Sequence, residues 1–270
     1  MIVVKAGGRA LTENMEKIVT SIAEASKNHR IILVHGGGEL VTEYSKRLGI
    51  EPRFVTSPQG VRSRYTTREE LEVFVMALGG LLNKKLAVML ARHGAKPIGL
   101  TGIDGFALLA KRRKRIVIVD EKTRRRRVIP GGYTGKVVGV NNQLLRDLLD
   151  DGYTPVIAPI AYDPEEATLL NVDGDQAAAR IAASLRANAL IILTDVDGLI
   201  VDGKLVNKLT LSQAIRLVEE GKIGPGMNRK IIEVARAVEE GVEYAVITNA
   251  SHNNPVAEGL KGRGTVLTMG

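Results

Sequence analysis

Short apolar segments alternate with helix-length amphipathic segments along most of this chain, and that alternation restricts its fold more than any other feature. Six short and continuously apolar segments lie at 2–5, 31–35, 97–100, 155–158, 190–193 and 244–247. Runs of this kind predict strands that are buried on both faces of a sheet. Helix-length patterns lie between them, at 13–27, 40–48, 69–93, 142–150, 173–186, 211–219 and 227–240. The sequence therefore predicts an α/β protein with a mainly parallel central sheet, in which ligands collect at the carboxyl ends of the strands.

One segment, 107–140, interrupts this alternation with apolar pairs and turns, which predict antiparallel hairpins that project from the body. Within it, residues 111–127 (KRRKRIVIVDEKTRRRR) hold ten basic and two acidic side chains, a net charge of +8. The whole chain also carries +8, because the other 253 residues contain 28 charges of each sign. The protein is thus a neutral body with one cationic segment, which we call the basic arm.

The composition excludes several kinds of site. The chain has no cysteine, which rules out disulfides, thiolate zinc centres and thiol nucleophiles. Its four histidines lack the spacing of metal ligands, and we interpret His35 as structural. With 44% hydrophobic and 25% charged residues, the 270-residue chain is typical of a globular protein with one large domain or two lobes. It shows no signal peptide and no window of about 18 uninterrupted apolar residues, so a cytoplasmic protein without membrane contact is predicted.

Three glycine turns precede predicted helices: KAGG (5–8), HGGG (35–38) and GPGM (224–227). Without Cβ atoms, such turns let backbone N–H groups approach an anion, and the dipole of the following helix favours negative charge there. Three of them together favour phosphate binding over ordinary connections. The site is not a Walker A loop, because no Gly-Lys pair is followed by Ser or Thr, and the triple glycine lacks the Rossmann spacing.

Charged side chains accompany these turns. Lys5 ends the first apolar segment, and a phosphate contact and a plain surface lysine are both open readings. The motif NVDGD (171–175) precedes an alanine-rich helix; one acid there would serve as an N-cap, and the surplus indicates the positioning of a ligand or a lysine. The motif TDVDG (194–198) follows an apolar strand and is either a turn or a loop that cradles a nucleotide.

Five motifs together resemble the amino acid kinase family, with the order and spacing of acetylglutamate kinases. They are VVKAGGR (3–9), VHGGG (34–38), NVDGDQAA (171–178), LTDVDG (193–198) and PGMNRK (225–230). The resemblance covers essentially the full chain and implies the amino acid kinase fold, a three-layer αβα sandwich. It also implies an N-terminal lobe for the acceptor substrate at 1–170, with the hairpin region at 107–140, and an ATP-binding lobe at 171–270.

The resemblance implies the catalytic residues. Lys5 and Lys230 match the lysines that contact the transferring phosphoryl group, and Asp175 matches the aspartate that orients them. The implied acceptor is a side-chain carboxylate, which is already ionised at neutral pH and needs no general base to attack the γ-phosphate of ATP. Catalysis then consists of alignment and charge neutralisation, with ATP and Mg²⁺ as the implied cofactors.

The resemblance also implies how the substrates are bound. Gly36 and Gly37 match backbone donors to the acceptor, and Asn171 matches a side chain that holds the substrate's backbone carboxylate. The substrate arginine is Arg64 when counted back from the following threonine, which we favour, or Arg62 when counted forward from the preceding glycine. The residues implied in ATP binding are Gly7, Gly8, Thr194, Asp195, Asp197, Gly226 and Met227.

The basic arm and the sequence SRYT (63–66) are absent from ordinary acetylglutamate kinases. Both resemble the subgroup of the family whose substrate, aminoadipate or glutamate, is attached through its α-amino group to LysW, a small and very acidic amino-group carrier protein. A cationic arm beside the acceptor pocket suits such a partner by charge. The residues expected to bind the carrier are Lys111, Arg112, Arg113, Lys114, Arg115, Arg124, Arg125, Arg126 and Arg127.

Two alternatives remain open. An acetylglutamate kinase that acts on free N-acetylglutamate would leave the arm as a solvated loop. A nucleic-acid-binding protein could use the arm on phosphate backbones, but the arm has no aromatic residue to stack on bases, and the five kinase motifs would be unexplained. We predict a homodimer that contacts neither nucleic acid nor membrane. Aminoadipate and glutamate differ by one methylene, so both are open as substrates.

Overall fold

The computed structural model describes residues 1–120 and 123–270. Its strands, in chain order, are β1 (Ile2–Ala6), β2 (Ile31–His35), β3 (Phe54–Thr56), β4 (Arg62–Arg64), β5 (Pro97–Leu100), β6 (Leu108–Arg112), β7 (Arg115–Val119), β8 (Arg126–Pro130), β9 (Gly135–Val140), β10 (Thr154–Ile157), β11 (Ile160–Asp163), β12 (Thr168–Asn171), β13 (Ala189–Thr194), β14 (Ile200–Val201), β15 (Lys204–Leu205), β16 (Lys208–Thr210), β17 (Tyr244–Asn249) and β18 (Thr265–Thr268).

The helices connect these strands. They are α1 (Gly8–Ser26), α2 (Gly38–Arg47), α3 (Arg68–Phe74), α4 (Asn83–Arg92), α5 (Asn142–Asp150), α6 (Gly174–Leu185), α7 (Leu211–Glu219), α8 (Pro225–Glu239) and α9 (Pro255–Leu260). A π-helical stretch, Val75–Leu82, joins α3 to α4, so that Arg68–Arg92 is one continuous helical run, and a short 3₁₀ turn lies at Asp104–Phe106.

The central sheet has eight strands in the order β16-β18-β17-β13-β1-β2-β10-β5. All neighbouring pairs are parallel except β17 and β18, which are antiparallel. Successive residues of β1 face opposite cores: Ile2 and Val4 pack with residues of α1, α4 and α9, whereas Val3 packs with residues of α5, α6 and α8. Helices therefore cover both faces of the sheet, and the predicted three-layer αβα sandwich is confirmed.

A smaller sheet, in the order β12-β11-β6-β9, stands beside the central one. Between β6 and β9 the chain forms the antiparallel hairpin of β7 and β8, which carries most of the basic arm. The hairpins predicted within 107–140 are therefore confirmed. Another hairpin, β3 with β4, packs against β7, so the arm adjoins the segment that carries the two candidate substrate arginines.

The helical run Arg68–Arg92 is long and apolar enough to cross a membrane, with a mean hydropathy of 1.6 in its most apolar window. In this fold, 44% of that window is buried, and core helices of soluble proteins meet the same criterion. The absence of membrane contact stays a prediction.

The predicted strands and helices are all present, with small shifts at their ends. The largest shift is at α1, which begins at Gly8 instead of residue 13 because the first glycine turn leads directly into the helix. The predicted lobe boundary falls at the end of β12, and the central sheet continues across it through the pairing of β1 with β13. The assignment of one lobe to each substrate stays a prediction.

Candidate active site

Two lysines from opposite ends of the chain share one carboxylate. Lys5 Nζ lies 2.8 Å from Asp175 Oδ1, and Lys230 Nζ lies 2.8 Å from Asp175 Oδ2. Lys5 is the fourth residue of β1, Asp175 lies in the first turn of α6, and Lys230 lies near the start of α8. The structure thus brings together all three residues that the sequence predicts to be catalytic.

Each charge in this cluster favours the ionised form of its partner. The side chains of Lys5 and Asp175 are only 8% and 7% exposed, and that of Lys230 is 21% exposed. Burial alone would raise the pKa of Asp175, but the charges of Lys5 and Lys230 outweigh it and hold that pKa well below its ordinary value. Burial opposes the charge of Lys230 as well, yet Asp175 raises the pKa of Lys230 above its ordinary value. Both groups are therefore ionised at neutral pH.

The N-terminus of α6 holds Asp175 in place. Asp173 is the N-cap of this helix, and its side chain accepts a hydrogen bond from Gln176 N. A second oxygen of Asp173 lies 3.0 Å from Arg229, the residue before Lys230. Two ion pairs thus join the start of α8 to the start of α6, and they fix Lys230 relative to Asp175.

The first two glycine turns are in contact. A Cβ on Gly36 would lie 2.9 Å from Gly8 N, and a Cβ on Gly8 would lie 3.1 Å from Gly37 N. Gly37 has a φ of +144°, and a Cβ there would also collide with Leu78. Only glycine fits such a close approach of two chain segments. The N-terminal ends of α1 and α2 therefore open side by side.

Three helices that follow glycine turns begin without a side-chain cap. The N-cap residues of α1, α2 and α8 are Gly7, Gly37 and Gly224, and none of them caps its helix through a side chain. The N–H groups of a first turn have no partner inside the helix, so these ends are suited to bind phosphate or carboxylate oxygens. Gly226 is exposed with open space beside its Cα, whereas Met227 packs partly into the core.

The structure separates the two candidate substrate arginines. Arg64 is almost buried: its guanidinium donates to Gly38 O at 2.9 Å and Thr42 Oγ1 at 2.5 Å, and it forms an ion pair of 3.0 Å with Glu70. Arg62 is exposed and stacks on the ring of Phe54 at 4.4 Å. Arg64 also lies over the ring of Phe54, at 5.0 Å, so the two arginines share one face of the hairpin and only Arg64 reaches the second glycine turn. The choice of Arg64 over Arg62 as the substrate arginine stays a prediction.

Asn171 connects the acceptor side to the base of the arm. Its Nδ2 donates to Thr66 Oγ1 at 2.8 Å, and its backbone N donates to Tyr133 O at 3.0 Å. The backbone N of Tyr133 in turn donates to Thr66 O at 2.8 Å. The segment that leads out of the arm is therefore tied to the segment that follows Arg64.

The loop after β13 faces the first glycine turn. Thr194 is buried at the end of the strand, and its hydroxyl donates to Asp195 Oδ1 at 3.0 Å. The other oxygen of Asp195 lies 2.5 Å from the guanidinium of Arg9. Asp197 accepts a hydrogen bond from the side chain of Asn249 at 2.8 Å, which links the loop to the end of β17.

Within the basic arm, the cations differ in their surroundings. Three have acidic partners: Lys111 with Glu165 at 2.7 Å, Arg112 with Glu166 at 2.8 Å, and Arg127 with Asp120 at 2.9 Å. Arg112 also stacks on Tyr133 and is the least exposed of them. Among residues 1–120 and 123–270, no acidic side chain pairs with Arg113, Lys114, Arg115, Arg124, Arg125 or Arg126, all of which are exposed.

His35 is fully buried at the end of β2. Its Nδ1 lies 2.9 Å from Gly36 O and its Nε2 lies 3.2 Å from Asn83 Nδ2, so this network assigns a neutral ring that donates to the carbonyl and accepts from the amide. Burial lowers the pKa of His35 to about 4. The interpretation of His35 as structural agrees with this environment.

Carboxylates are poorly placed for a metal ion held by the protein. In the part of the chain that the structure describes, no three His, Asp or Glu side chains form a metal-binding group, and Asp175 is occupied by two lysines. These residues do not fit a resident Mg²⁺. An ion that arrives with ATP would take most of its ligands from phosphate and water.

Three charged residues near the site have no role that the sequence predicts: Arg9, Glu70 and Arg229. Arg9 was part of a matched motif, yet its partner Asp195 lies 186 positions away, which no local pattern reveals. Glu70 forms a capping box with Thr67 at the start of α3, which can be read from the sequence. Its ion pair with Arg64 cannot be read in this way.

Comparison with known families agrees with this geometry. The model of the amino acid kinase family matches residues 1–249. The chain belongs to the amino acid kinase family. As a kinase of this family it uses ATP as a substrate. Among solved structures, the N-acetylglutamate synthase of Neisseria gonorrhoeae superposes with a TM-score of 0.81 at 24% identity, over 99% of this chain and 59% of that one. The carbamate kinase of Giardia superposes with a TM-score of 0.69 at 16% identity, over 100% and 99%. Both likenesses concern the fold.

Curated members of the family are more similar in sequence. The LysW-aminoadipate/LysW-glutamate kinase of Saccharolobus solfataricus is 51% identical over 270 residues, which cover all of both chains. The kinase of the same name from Sulfolobus acidocaldarius is 50% identical over 267 residues, 99% of this chain and 100% of the relative. The predicted resemblance is therefore confirmed at the level of the family and its carrier-linked subgroup.

Proposed function

We propose that this kinase transfers the γ-phosphoryl group of ATP to the side-chain carboxylate of aminoadipate, glutamate or both, while that amino acid is attached to the acidic carrier protein LysW. The observation that carries the proposal is the shared carboxylate: Lys5 and Lys230 converge on Asp175 where two glycine turns meet, and the basic arm adjoins the hairpin that bears Arg64. Relatives with about 50% sequence identity to this chain are named for this activity.

The reaction needs little from the protein beyond placement and charge. A carboxylate oxygen of the acceptor attacks the γ-phosphorus, a new O–P bond forms, the bond from the γ-phosphorus to the bridging oxygen breaks, and ADP leaves with that electron pair. No proton moves, so no catalytic histidine is required. Lys5 and Lys230 would neutralise the oxygens of the transferring phosphoryl group, and Asp175 would keep the two ammonium groups a fixed distance apart.

The substrates would bind on two sides of the lysine cluster. The backbone of Gly36 and Gly37, with Arg64 and Asn171, would hold the acceptor and its free α-carboxylate in the lobe at 1–170. ATP would lie over the lobe at 171–270. The residues that would contact it are Gly7, Gly8, Thr194, Asp195, Asp197, Gly226 and Met227. Mg²⁺ would arrive with ATP, because the described residues do not fit a resident ion.

The arm would bind the carrier. Its exposed cations Arg113, Lys114, Arg115, Arg124, Arg125 and Arg126 present unneutralised charge next to the hairpin of β3 and β4. Lys111 and Arg112 are already paired with acids at the base of the arm, so they would support its position more than the contact itself. A polyanionic carrier would be attracted over a distance of about 10 Å at ordinary salt, and its binding would weaken as salt increases.

Charge reversal in the arm tests this proposal. Arg124, Arg125 and Arg126 have no acidic partner among the described residues, so their replacement by glutamate breaks no ion pair in that part of the chain. We expect the KM for a carrier-linked acceptor to rise by about a hundredfold and to lose most of its salt dependence, while the KM for ATP stays within about twofold.

A matched control separates local from global charge. Lys27, Lys46 and Arg92 are exposed cations of the helical layers, and their replacement by glutamate changes the net charge by the same amount. We expect this control to keep most of its affinity for the carrier. Equal loss in both triple variants would show that net charge alone matters. An unchanged KM in the arm variant would refute the role of the arm.

The proposal has three further features: the oligomeric state, the location in the cell and the absence of nucleic-acid binding. A homodimer, a location in the cytoplasm and the absence of nucleic-acid binding stay predictions. Competition between the acidic carrier and duplex DNA for the purified protein tests whether the protein binds nucleic acid. Salt sensitivity alone does not, because it is common to both anionic partners.

A further inference from the structure

Arg9 occupies a position where a cation is unfavourable for its own helix. It is the second residue of α1, directly behind Gly7 and Gly8. The N-terminus of a helix carries partial positive charge, which favours acids and disfavours a guanidinium. The first turn of α1 contains no acidic residue that would offset this. The helix itself therefore gives no reason for an arginine here.

The partners of Arg9 come from both sides of the candidate active site. Its guanidinium lies 2.5 Å from Asp195, in the loop after β13, and 3.7 Å from Glu39, in the first turn of α2. The Arg9 side chain is 66% exposed. Ion pairs this exposed contribute little to stability, so the pair is not needed to hold the fold together.

Arg9 lies close to the lysine cluster. Gly7, two residues earlier, lies so close to Lys5 that a Cβ there would be 3.5 Å from Lys5 Nζ. On the other side, the charge of Asp195 contributes to the raised pKa of Lys230. Arg9, Lys5 and Lys230 therefore surround the same opening at the carboxyl ends of β1 and β13.

Each of the three cations is neutralised in the structure by a carboxylate. Lys5 and Lys230 share Asp175, which is buried, whereas Arg9 rests on Asp195, which is 31% exposed. An exposed pair exchanges partners at little cost, and a guanidinium binds phosphate oxygens in a bidentate manner. A nucleotide polyphosphate that enters this opening would compete with Asp195 for Arg9.

We infer that Arg9 is a third phosphoryl-binding cation: when ATP binds, its guanidinium leaves Asp195 and contacts the oxygens of the γ-phosphate. This inference rests on the proposed kinase function and adds a residue to it. Because the γ-phosphate is the group that ADP lacks, the contact of Arg9 distinguishes the two nucleotides.

The test compares binding of ADP with that of a non-hydrolysable ATP analogue by titration calorimetry, in wild-type protein, Arg9→Met and Arg9→Lys. We expect Arg9→Met to weaken binding of the analogue by about tenfold or more and to leave ADP binding within about twofold. Arg9→Lys keeps the charge without the planar fork, so an intermediate loss is expected. The thermal midpoint of each variant reports on its folding.

Arg30→Met is the matched control, because Arg30 is also an exposed arginine, 61% accessible, with one long-range ion pair to Asp150, at the opposite ends of the strands. We expect it to bind both nucleotides as the wild type does. Equal weakening of ADP and analogue binding by Arg9→Met, or no weakening of either, would overturn the assignment of Arg9. Wild-type protein that binds neither nucleotide would instead overturn the kinase function itself, and the assignment with it.

Discussion

Replacing Asp175 by asparagine removes the charge that Lys5 and Lys230 share while keeping the size of the side chain. Both ion pairs are 2.8 Å long, and the side chains of Asp175 and Lys5 are 7% and 8% exposed. Removing one member of a buried pair leaves an uncompensated charge and costs about 3 to 5 kcal/mol. We therefore expect Asp175→Asn to lower the free energy of unfolding by about 3 to 5 kcal/mol.

The same substitution separates binding from catalysis. Without the carboxylate, the two ammonium groups repel each other and lose their fixed spacing, and misplacement by about 1 Å is enough to lower kcat about a hundredfold. The phosphates of ATP, however, no longer face a negative charge between the lysines. We therefore expect Asp175→Asn to bind ATP as tightly as the wild type or more tightly, while kcat falls by about a hundredfold.

Asp173→Asn is the control for this prediction. Asparagine caps a helix as well as aspartate does, so the change removes only the partly exposed ion pair with Arg229, worth about 1 kcal/mol or less. Urea unfolding, calorimetric titration with ATP and steady-state kinetics measure the three quantities. Equal destabilisation by both variants, or a loss of ATP affinity that parallels the loss of kcat in Asp175→Asn, would show that Asp175 does not hold the two lysines as described.

Three further predictions concern residues around the cluster. Gly37→Ala should destabilise the protein by about 3 kcal/mol and raise the KM for the acceptor, since φ is +144° and the new Cβ would collide with a leucine, whereas Gly38→Ala meets open space; thermal unfolding of both variants checks this. Glu70→Gln should raise the KM for the acceptor about tenfold without changing the KM for ATP, because Arg64 loses its charged partner. Steady-state kinetics with each substrate varied in turn measures both KM values, and an equal rise in the two would contradict this prediction. From pH 7.5 to 5.0 the free energy of unfolding should fall by about 2 kcal/mol through His35, because the unfolded ring gains its proton near pH 6.5 and the buried ring only near pH 4. Urea unfolding at several pH values measures this fall, and the His35→Gln variant should lack the part of it that comes from His35.

The elements that could be predicted from the sequence are those with a strong local pattern. β13 is a continuous apolar run, and α6 repeats small apolar residues at helical spacing, so both were located within about one residue. The strand β18 was missed because Thr265–Thr268 is short and has only two apolar residues, which lie between two threonines. It also pairs antiparallel with β17, against the rule that the rest of the sheet follows.

The site shows the same limit. The roles of Lys5, Asp175 and Lys230 came from the resemblance to the amino acid kinase family, since the glycine turns alone left the role of Lys5 open. The rule that parallel strands bring their carboxyl ends to one edge of a sheet predicts only the edge at which a ligand binds. The partners of Arg64 could not be read, since Glu70 of α3 and Gly38 and Thr42 of α2 reach it only in the folded chain. The pairing of Arg9 with Asp195 likewise depends on the neighbourhood of β1 and β13 and on no local spacing.

Whether the acceptor arrives on an acidic carrier is measured by the ATP consumption of the purified protein with three acceptors: carrier-linked aminoadipate, carrier-linked glutamate and free N-acetylglutamate. We predict turnover with one or both carrier-linked acceptors and at most a trace with the free compound. Turnover with free N-acetylglutamate alone would show that the protein does not use the carrier.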